Sequence, residues 1–168
     1  LTNGAGAQKL VITNSGNLTA GIITADTVDT TGVTGTVVLT GTMLNSSGTA
    51  FTGGSGNTTL AGSAASDSIV TGIGVDTINT STGDDFISTG AGNDVINIGA
   101  GANVVDAGAE NDNIISATDI VTGSVLAGGT GTDFLILTGG GTANDILTVN
   151  PLNSIERIVF TTGASPNP

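Results

Sequence analysis

The chain contains no cysteine, no histidine, no tryptophan and no tyrosine in 168 residues. Thiol chemistry is thereby excluded, and zinc, copper and haem sites lose their usual ligands. General acid–base and nucleophilic catalysis lose most of their usual side chains as well, so the chain reads as non-enzymatic. Basic residues are almost missing: Lys9 and Arg157 stand against fourteen acids, for a net charge of −12. Phosphate recognition needs a basic surface, which argues against a nucleic-acid partner. No apolar run approaches the ~20 residues that span a bilayer, so no transmembrane segment is expected. Four phenylalanines are the only aromatics, too few for an ordinary globular interior. No stretch keeps a 3.6-residue apolar period, and helix should be nearly absent. The sequence opens on Leu1 rather than Met, shows no signal peptide, and reads as a piece of a longer protein.

What is abundant is glycine, 28 residues of it, and much of it is periodic. Seven consecutive nine-residue blocks run from Gly53 to Ile115: GGSGNTTLA, GSAASDSIV, TGIGVDTIN, TSTGDDFIS, TGAGNDVIN, IGAGANVVD and AGAENDNII. The sixth place holds Asp67, Asp76, Asp85, Asp94 and Asp112, with Thr58 and Asn103 in the other two blocks. Chance placement of twelve aspartates would put fewer than one there. The eighth place is always aliphatic: Leu60, Ile69, Ile78, Ile87, Ile96, Val105 and Ile114. Disordered tracts have no such regular buried face.

Each block reads as a turn followed by a short strand. The eighth residue enters the interior, while the aspartate, just before the strand, is expected on the turn side and free to coordinate. Glycines at the second and fourth places supply the positive φ that a tight turn needs. Two blocks make one coil, so equivalent turns stack eighteen residues apart. One edge then carries Thr58, Asp76, Asp94 and Asp112, and the other Asp67, Asp85 and Asn103. A cation between stacked turns can collect carboxylate oxygens together with carbonyl oxygens of the Gly-x-Gly segments. Such all-oxygen, flexible coordination suits calcium better than magnesium. The carbonyl candidates are Gly72, Gly74, Gly83, Gly90, Gly92, Gly99, Gly101, Gly108, Gly129 and Gly131. One aliphatic residue per block offsets little of the entropy of ordering nine residues. Without its several calcium ions the array should be marginal or unfolded.

Five zones follow, expected to form one continuous all-β domain. Residues 1–52 are β-rich coils without the nonapeptide, with strands at Lys9–Thr13, Gly21–Thr24 and Thr36–Thr40. Residues 53–115 are the array, and 116–127 an insertion that bulges at a coil corner. Two further blocks, GGTGTDFLI with Asp133 and GGTANDILT with Asp145, occupy 128–148. A last strand, Ile155–Phe160, and a fraying tail complete 149–168. Asp84, Asp106 and Glu110 lie off the comb and read as surface charges; Asp26, Asp29 and Asp119 read as turn formers, an extra ion being the alternative.

GGTGTDFLI, TGAGNDVIN and their neighbours resemble the RTX calcium-binding nonapeptide, GGxGxDxUx with U a large aliphatic residue. The resemblance implies a parallel β-roll or β-solenoid, calcium bound between turns, and type I secretion. It carries the ligand role to Asp67, Asp76, Asp85, Asp94, Asp112, Asp133 and Asp145, with Asn103 a weaker ligand. Thr58, Asn103, Ala65, Ala143 and Glu110 depart from the motif, so occupancy is expected to be best around Asp76, Asp85 and Asp94. The Thr/Ala/Gly/Asn-rich stretches 16–41 and 153–160 are similar to segments of bacterial surface-layer (S-layer) proteins. The expected function is a structural calcium-binding module of a secreted protein of the bacterial cell surface, with calcium driving folding and self-association into a lattice. Contact with cell-surface polysaccharide would then fall to other parts of the parent protein. The alternative is the repeat region of a type I-secreted toxin, protease or adhesin whose active domain lies elsewhere. Third- and fifth-place residues form no regular Thr or Asn rows, which argues against an ice-binding solenoid.

Overall fold

The computed structural model describes residues 8–13, 15–39, 47–117, 120, 123–138 and 152–161. Among them are sixteen strands and no helix, and so no helix long and apolar enough to cross a membrane. One parallel sheet contains, in spatial order, β1 (Lys9–Val11), β3 (Thr27–Asp29), β5 (Ala50–Thr52), β7 (Ser68–Val70), β9 (Phe86–Ser88), β11 (Val104–Ala109), β13 (Val125–Thr130) and β15 (Leu152–Asn153). The other contains β2 (Leu18–Ala20), β4 (Val37–Leu39), β6 (Thr58–Ala61), β8 (Thr77–Asn79), β10 (Val95–Ile98), β12 (Asn113–Ser116), β14 (Phe134–Leu137) and β16 (Arg157–Phe160). The chain visits the two sheets alternately, one strand at a time. Each coil is therefore two strands and two corners, and the whole is an all-β parallel solenoid.

Register follows the aliphatic comb. Ile69, Ile87, Val105 and Leu126 pair in one column. Leu60, Ile78, Ile96, Ile114 and Leu135 pair in the column facing it. All nine are buried, and Val28, Leu39 and Phe51 extend the same interior into the N-terminal coils. Burial of each such side chain contributes about 1.5–3 kcal/mol. Strands of three or four residues suffice because the pleat needs only one large inward residue per strand.

Residues outside the nonapeptide join the same two sheets: β1 to β5 lie within 9–52. The expected strand at Gly21–Thr24 is instead a corner, with Ile23 buried and Ile22 exposed, and the strand falls on Leu18–Ala20. Alternation of a buried and an exposed isoleucine misled the reading there. β3, β5 and β15 had no distinctive apolar run to announce them, and β16 starts at Arg157, two residues later than expected.

Coil length is 18 residues within the array, rises to 21 from Asp112 to Asp133, and to 23 from Asp133 to Glu156. Because the strands keep their pairing, the extra residues are confined to corners. Of the insertion 116–127, Ser116 ends β12 and Val125–Ala127 already belong to β13. Asp119, Asp145 with its block 140–148, and the tail beyond 161 lie outside the described residues.

Candidate metal centre

A pleat of period two puts the sixth and eighth residues of a block on the same face. The comb aspartates, expected on the turn side, therefore point into the coil and are buried. Asp76, Asp94, Asp112 and Asp133 are 0 % exposed, and Asp67, Asp85 and Asn103 nearly as buried.

Each buried side chain takes a backbone N–H from the coil before it. On one edge, the N–H groups of Thr58, Asp76, Asp94 and Asp112 donate to Oδ1 of Asp76, Asp94, Asp112 and Asp133, at 2.6–2.8 Å. Asp133 N–H continues the row by donating to Glu156 Oε2 at 2.7 Å. On the opposite edge, Thr49 N–H donates to Asp67 Oδ1 at 2.7 Å, Asp67 N–H to Asp85 Oδ1 at 2.8 Å, and Asp85 N–H to Asn103 Oδ1 at 3.0 Å. Earlier on that edge, Gln8 N–H donates to Asp26 Oδ2 at 2.6 Å.

Two members of these rows escaped sequence reasoning. Asp26 sits at the sixth place relative to Val28, but no glycine frame surrounds it and its coil is followed by a longer one. Glu156 occupies the same place before β16, and its type hid it. The signal available for both was an acid two residues ahead of an aliphatic that pairs with the inner columns: Val28, which is buried, and Ile158, which pairs with Leu135 though it is itself exposed.

A second ladder runs outside the first and in the opposite sense. There the fifth-place side chain of one coil accepts the N–H of the next: Val75 N–H to Asn57 Oδ1, Ala102 N–H to Asp84 Oδ1 and Asn111 N–H to Asn93 Oδ1, at 2.8–3.0 Å. Glu110 Oε2 accepts Gly92 N–H at 2.9 Å. Asp84 and Glu110 are thus exposed charges that also tie coils together.

Glycine serves the corners in two ways. Gly74, Gly83, Gly92, Gly101 and Gly131 at the fourth place, and Gly90, Gly108 and Gly129 at the second, have positive φ. Gly72 and Gly99 do not, which corrects the expectation that torsion alone requires them. At Gly99 the reason is contact: a methyl group there would stand 1.1 Å from the Ser81 carbonyl oxygen of the preceding coil. Several of the candidate carbonyls already accept one hydrogen bond, Gly72 from Ala91 N–H and Gly90 from Ala109 N–H, leaving one lone pair each.

The inner carboxylates are half used. Oδ2 of Asp76, Asp85, Asp94, Asp112 and Asp133 is buried and has no hydrogen-bond partner. The Thr71 hydroxyl lies near Asp76 but donates to the Thr89 carbonyl oxygen at 2.9 Å. Burial of these five carboxyls raises each above the ordinary carboxylate range, against the pull of nearby backbone N–H groups. Asp112 is pushed up to about 7 by burial, with the charges of Asp94, Asp133 and Glu110 adding to it. A buried anionic oxygen without a partner is costly, and a bound cation is one of the few ways to relieve it.

The model of the RTX calcium-binding nonapeptide repeat (4 copies) matches residues 52–87, 70–105 and 79–114. Residues 52–114 are RTX calcium-binding nonapeptide repeats. No curated protein and no solved structure matched the chain. The donor chemistry of the RTX segment fits a hard cation: carboxylate, carbonyl and hydroxyl oxygens, with no nitrogen or sulfur ligand. Among the described residues no three acidic side chains converge on one point. A calcium ion in an RTX corner would therefore draw on one or two carboxylates and complete its shell with corner carbonyls. The buried Thr58 hydroxyl, also without a partner, adds a neutral oxygen at the head of the Asp76 row.

Two rungs of the RTX segment depart from this state. Asp67 receives Ser63 N–H on Oδ2 at 2.7 Å and the Ser63 hydroxyl on Oδ1 at 2.8 Å. Asn103 uses its amide Nδ2 to donate to the Gly99 carbonyl at 3.2 Å. Both side chains close their own corners.

Proposed function

We propose that this chain is a calcium-folded structural module of a secreted bacterial surface-layer protein and has no catalytic role of its own. The observation that carries the calcium part is the row of buried, unpartnered carboxylate oxygens at a fixed rung of successive coils. Asp76, Asp85, Asp94, Asp112 and Asp133 would hold the ions, helped by carbonyls of the neighbouring corners. The ion's contribution is charge: it neutralises buried carboxylates and draws adjacent coils together, so binding and folding are one process.

The surface-layer part is supported by the Thr/Ala/Gly/Asn-rich coils at 16–41 and by the charge of −12. That charge makes copies of the chain repel one another until calcium reduces it. Extracellular calcium modules bind at around 10⁻⁴–10⁻³ M, a range in which the chain stays unfolded during export and folds outside.

Calcium titration of the chain, followed by circular dichroism and sedimentation velocity, tests the module. The expected result is a change from coil-like to β signal, with magnesium a poor substitute. A fully β spectrum in a chelated, metal-free sample would refute the coupling of folding to calcium. Electron microscopy of the full-length parent protein in calcium tests the architecture. Ordered sheets support the surface-layer reading; a soluble monomer carrying a lytic or hydrolytic domain replaces it with the toxin or protease reading.

A further inference from the structure

The two edges of the solenoid are not equivalent. Thr58, Asp76, Asp94, Asp112 and Asp133 follow one another along the first edge, and each keeps a buried side-chain oxygen without a partner. Glu156 then ends the row with a fifth acceptor, outside any nonapeptide. Along the second edge, Thr49 and Asp85 are in that state among the described residues, so the first edge has four such carboxylates and the second one.

The neighbours of Asp85 explain the difference. Ser63 stands at the second place of its block, where most blocks have glycine, and its N–H and hydroxyl engage both oxygens of Asp67. The corner is closed by three short hydrogen bonds, counting Thr49 N–H, and leaves a cation no carboxylate oxygen without a hydrogen-bond partner. At Asn103 the substitution goes further. Its Oδ1 performs the stacking duty of the aspartate, accepting Asp85 N–H, while Nδ2 donates to the carbonyl of Gly99. An amide N–H directed at a corner carbonyl does what a cation would do there: it supplies positive charge density to an oxygen facing inward.

We propose that calcium lines one edge of this solenoid, along Asp76, Asp94, Asp112 and Asp133, while the opposite edge is held at Asp67 and Asn103 by side-chain hydrogen bonds that make calcium unnecessary there. The inference rests on the calcium reading above and narrows it: Asp85, between two rungs closed by hydrogen bonds, holds no ion of its own. It departs from a uniform repeat, in which both edges would bind alike, and it assigns Ser63 and Asn103 as built-in replacements for the ion. The solenoid is then a two-faced object: its coils are joined through calcium along one edge and through side-chain hydrogen bonds at Asp67 and Asn103 along the other.

The test is calcium stoichiometry per chain, measured by equilibrium dialysis and isothermal titration calorimetry on the whole 168-residue chain and three variants. Asp112→Asn is expected to lose at least one ion, and Asp67→Asn to lose none. Asn103→Asp removes the amide that donates to the Gly99 carbonyl and creates a carboxylate next to Asp85; it is expected to gain one ion. Asp67→Asn also sets an amide donor against Ser63 N–H and lowers stability, so bound ions and not melting are the readout, and Asn103→Asp decides the matter if that variant does not fold. Loss of an ion in Asp67→Asn, or an unchanged count in Asn103→Asp, overturns the one-edge assignment while leaving the calcium reading intact. An unaltered chain that binds no calcium at millimolar concentration overturns both.

Discussion

Asp94→Asn should change the sign of its effect with calcium. The native carboxylate has two jobs: Oδ1 accepts Asp76 N–H at 2.8 Å, and Oδ2 is buried without a partner. Asparagine keeps the acceptor and replaces the unpartnered anionic oxygen by an amide. That amide stands four residues beyond Gly90, as Asn103 stands beyond Gly99, where the amide donates to the carbonyl. In chelator the substitution removes a desolvation cost of about 1–3 kcal/mol. For a chain of this size that raises Tm by several degrees, at about 2–4 °C per kcal/mol. With calcium the order reverses. At an ion concentration tenfold above the dissociation constant each site contributes about 1.4 kcal/mol, and Asp94 has acids on both neighbouring coils, so about 3 kcal/mol is at stake. Asp94→Ala is the control: it also strands Asp76 N–H in the interior and should be about 1–3 kcal/mol less stable than Asp94→Asn with or without calcium. Thermal unfolding followed by circular dichroism, in chelator and in calcium, gives all six values. If the metal-free chain is unfolded, the concentration of trimethylamine oxide that refolds it reports the same difference. Equal destabilisation by Asp94→Asn in both conditions would refute the reasoning.

The metal-free chain should also respond to acid in an unusual direction. Burial raises the carboxyls of Asp76, Asp85, Asp94, Asp112 and Asp133, that of Asp112 to about 7. Their folded pKa values exceed the unfolded ones, so stability is full below about pH 4 and is lost as pH rises toward 7; a melting temperature in chelator that holds level or rises over that range would contradict this. Gly99→Ala should cost about 3 kcal/mol, because its methyl group would meet the Ser81 carbonyl at 1.1 Å, and urea unfolding in calcium would detect it. Glu110 occupies a glycine place at φ 74°, so Glu110→Gly should stabilise by about 1 kcal/mol despite losing an exposed hydrogen bond; a lower urea midpoint would show that the bond to Gly92 outweighs the strain.

The nonapeptide comb carried most of the architecture in plain view. A period of nine with one invariant aliphatic specifies short strands, and pairing such strands across an interior requires two blocks per coil. The direction of the aspartates was equally legible, since Asp94 and Ile96 are two residues apart and must share a face, although the expected ligand role pointed to the turn. Other features depend on atoms that a repeat pattern does not contain. Whether Asp67 is free depends on the hydroxyl and N–H of Ser63, four residues earlier and unremarkable in type. Asn103 reads as a weakened ligand, and only the position of its amide near Gly99 shows that it is a different kind of rung. Asp26 and Glu156 belong to the rows although coils of unequal length carry them out of frame. Gly99 shows that close stacking can demand glycine where torsion does not.

Every ladder described above joins a coil only to the next one, at the 18-residue spacing of the array. This has a mechanical consequence. Among the described residues there is no long-range clasp that must break first, so such a molecule, pulled from its ends, yields from the ends inward, one coil at a time. Each 18-residue coil, at about 3.3–3.6 Å per extended residue and less the ~4.8 Å it occupied in the stack, releases roughly 60 Å of slack. The response to stretching is a series of nearly equal steps whose height is set by the corners being parted. Coils joined through a divalent ion resist more than those joined by amide and hydroxyl groups. The same chain is then a stiff tether in calcium-rich surroundings and a compliant one where the ion is scarce.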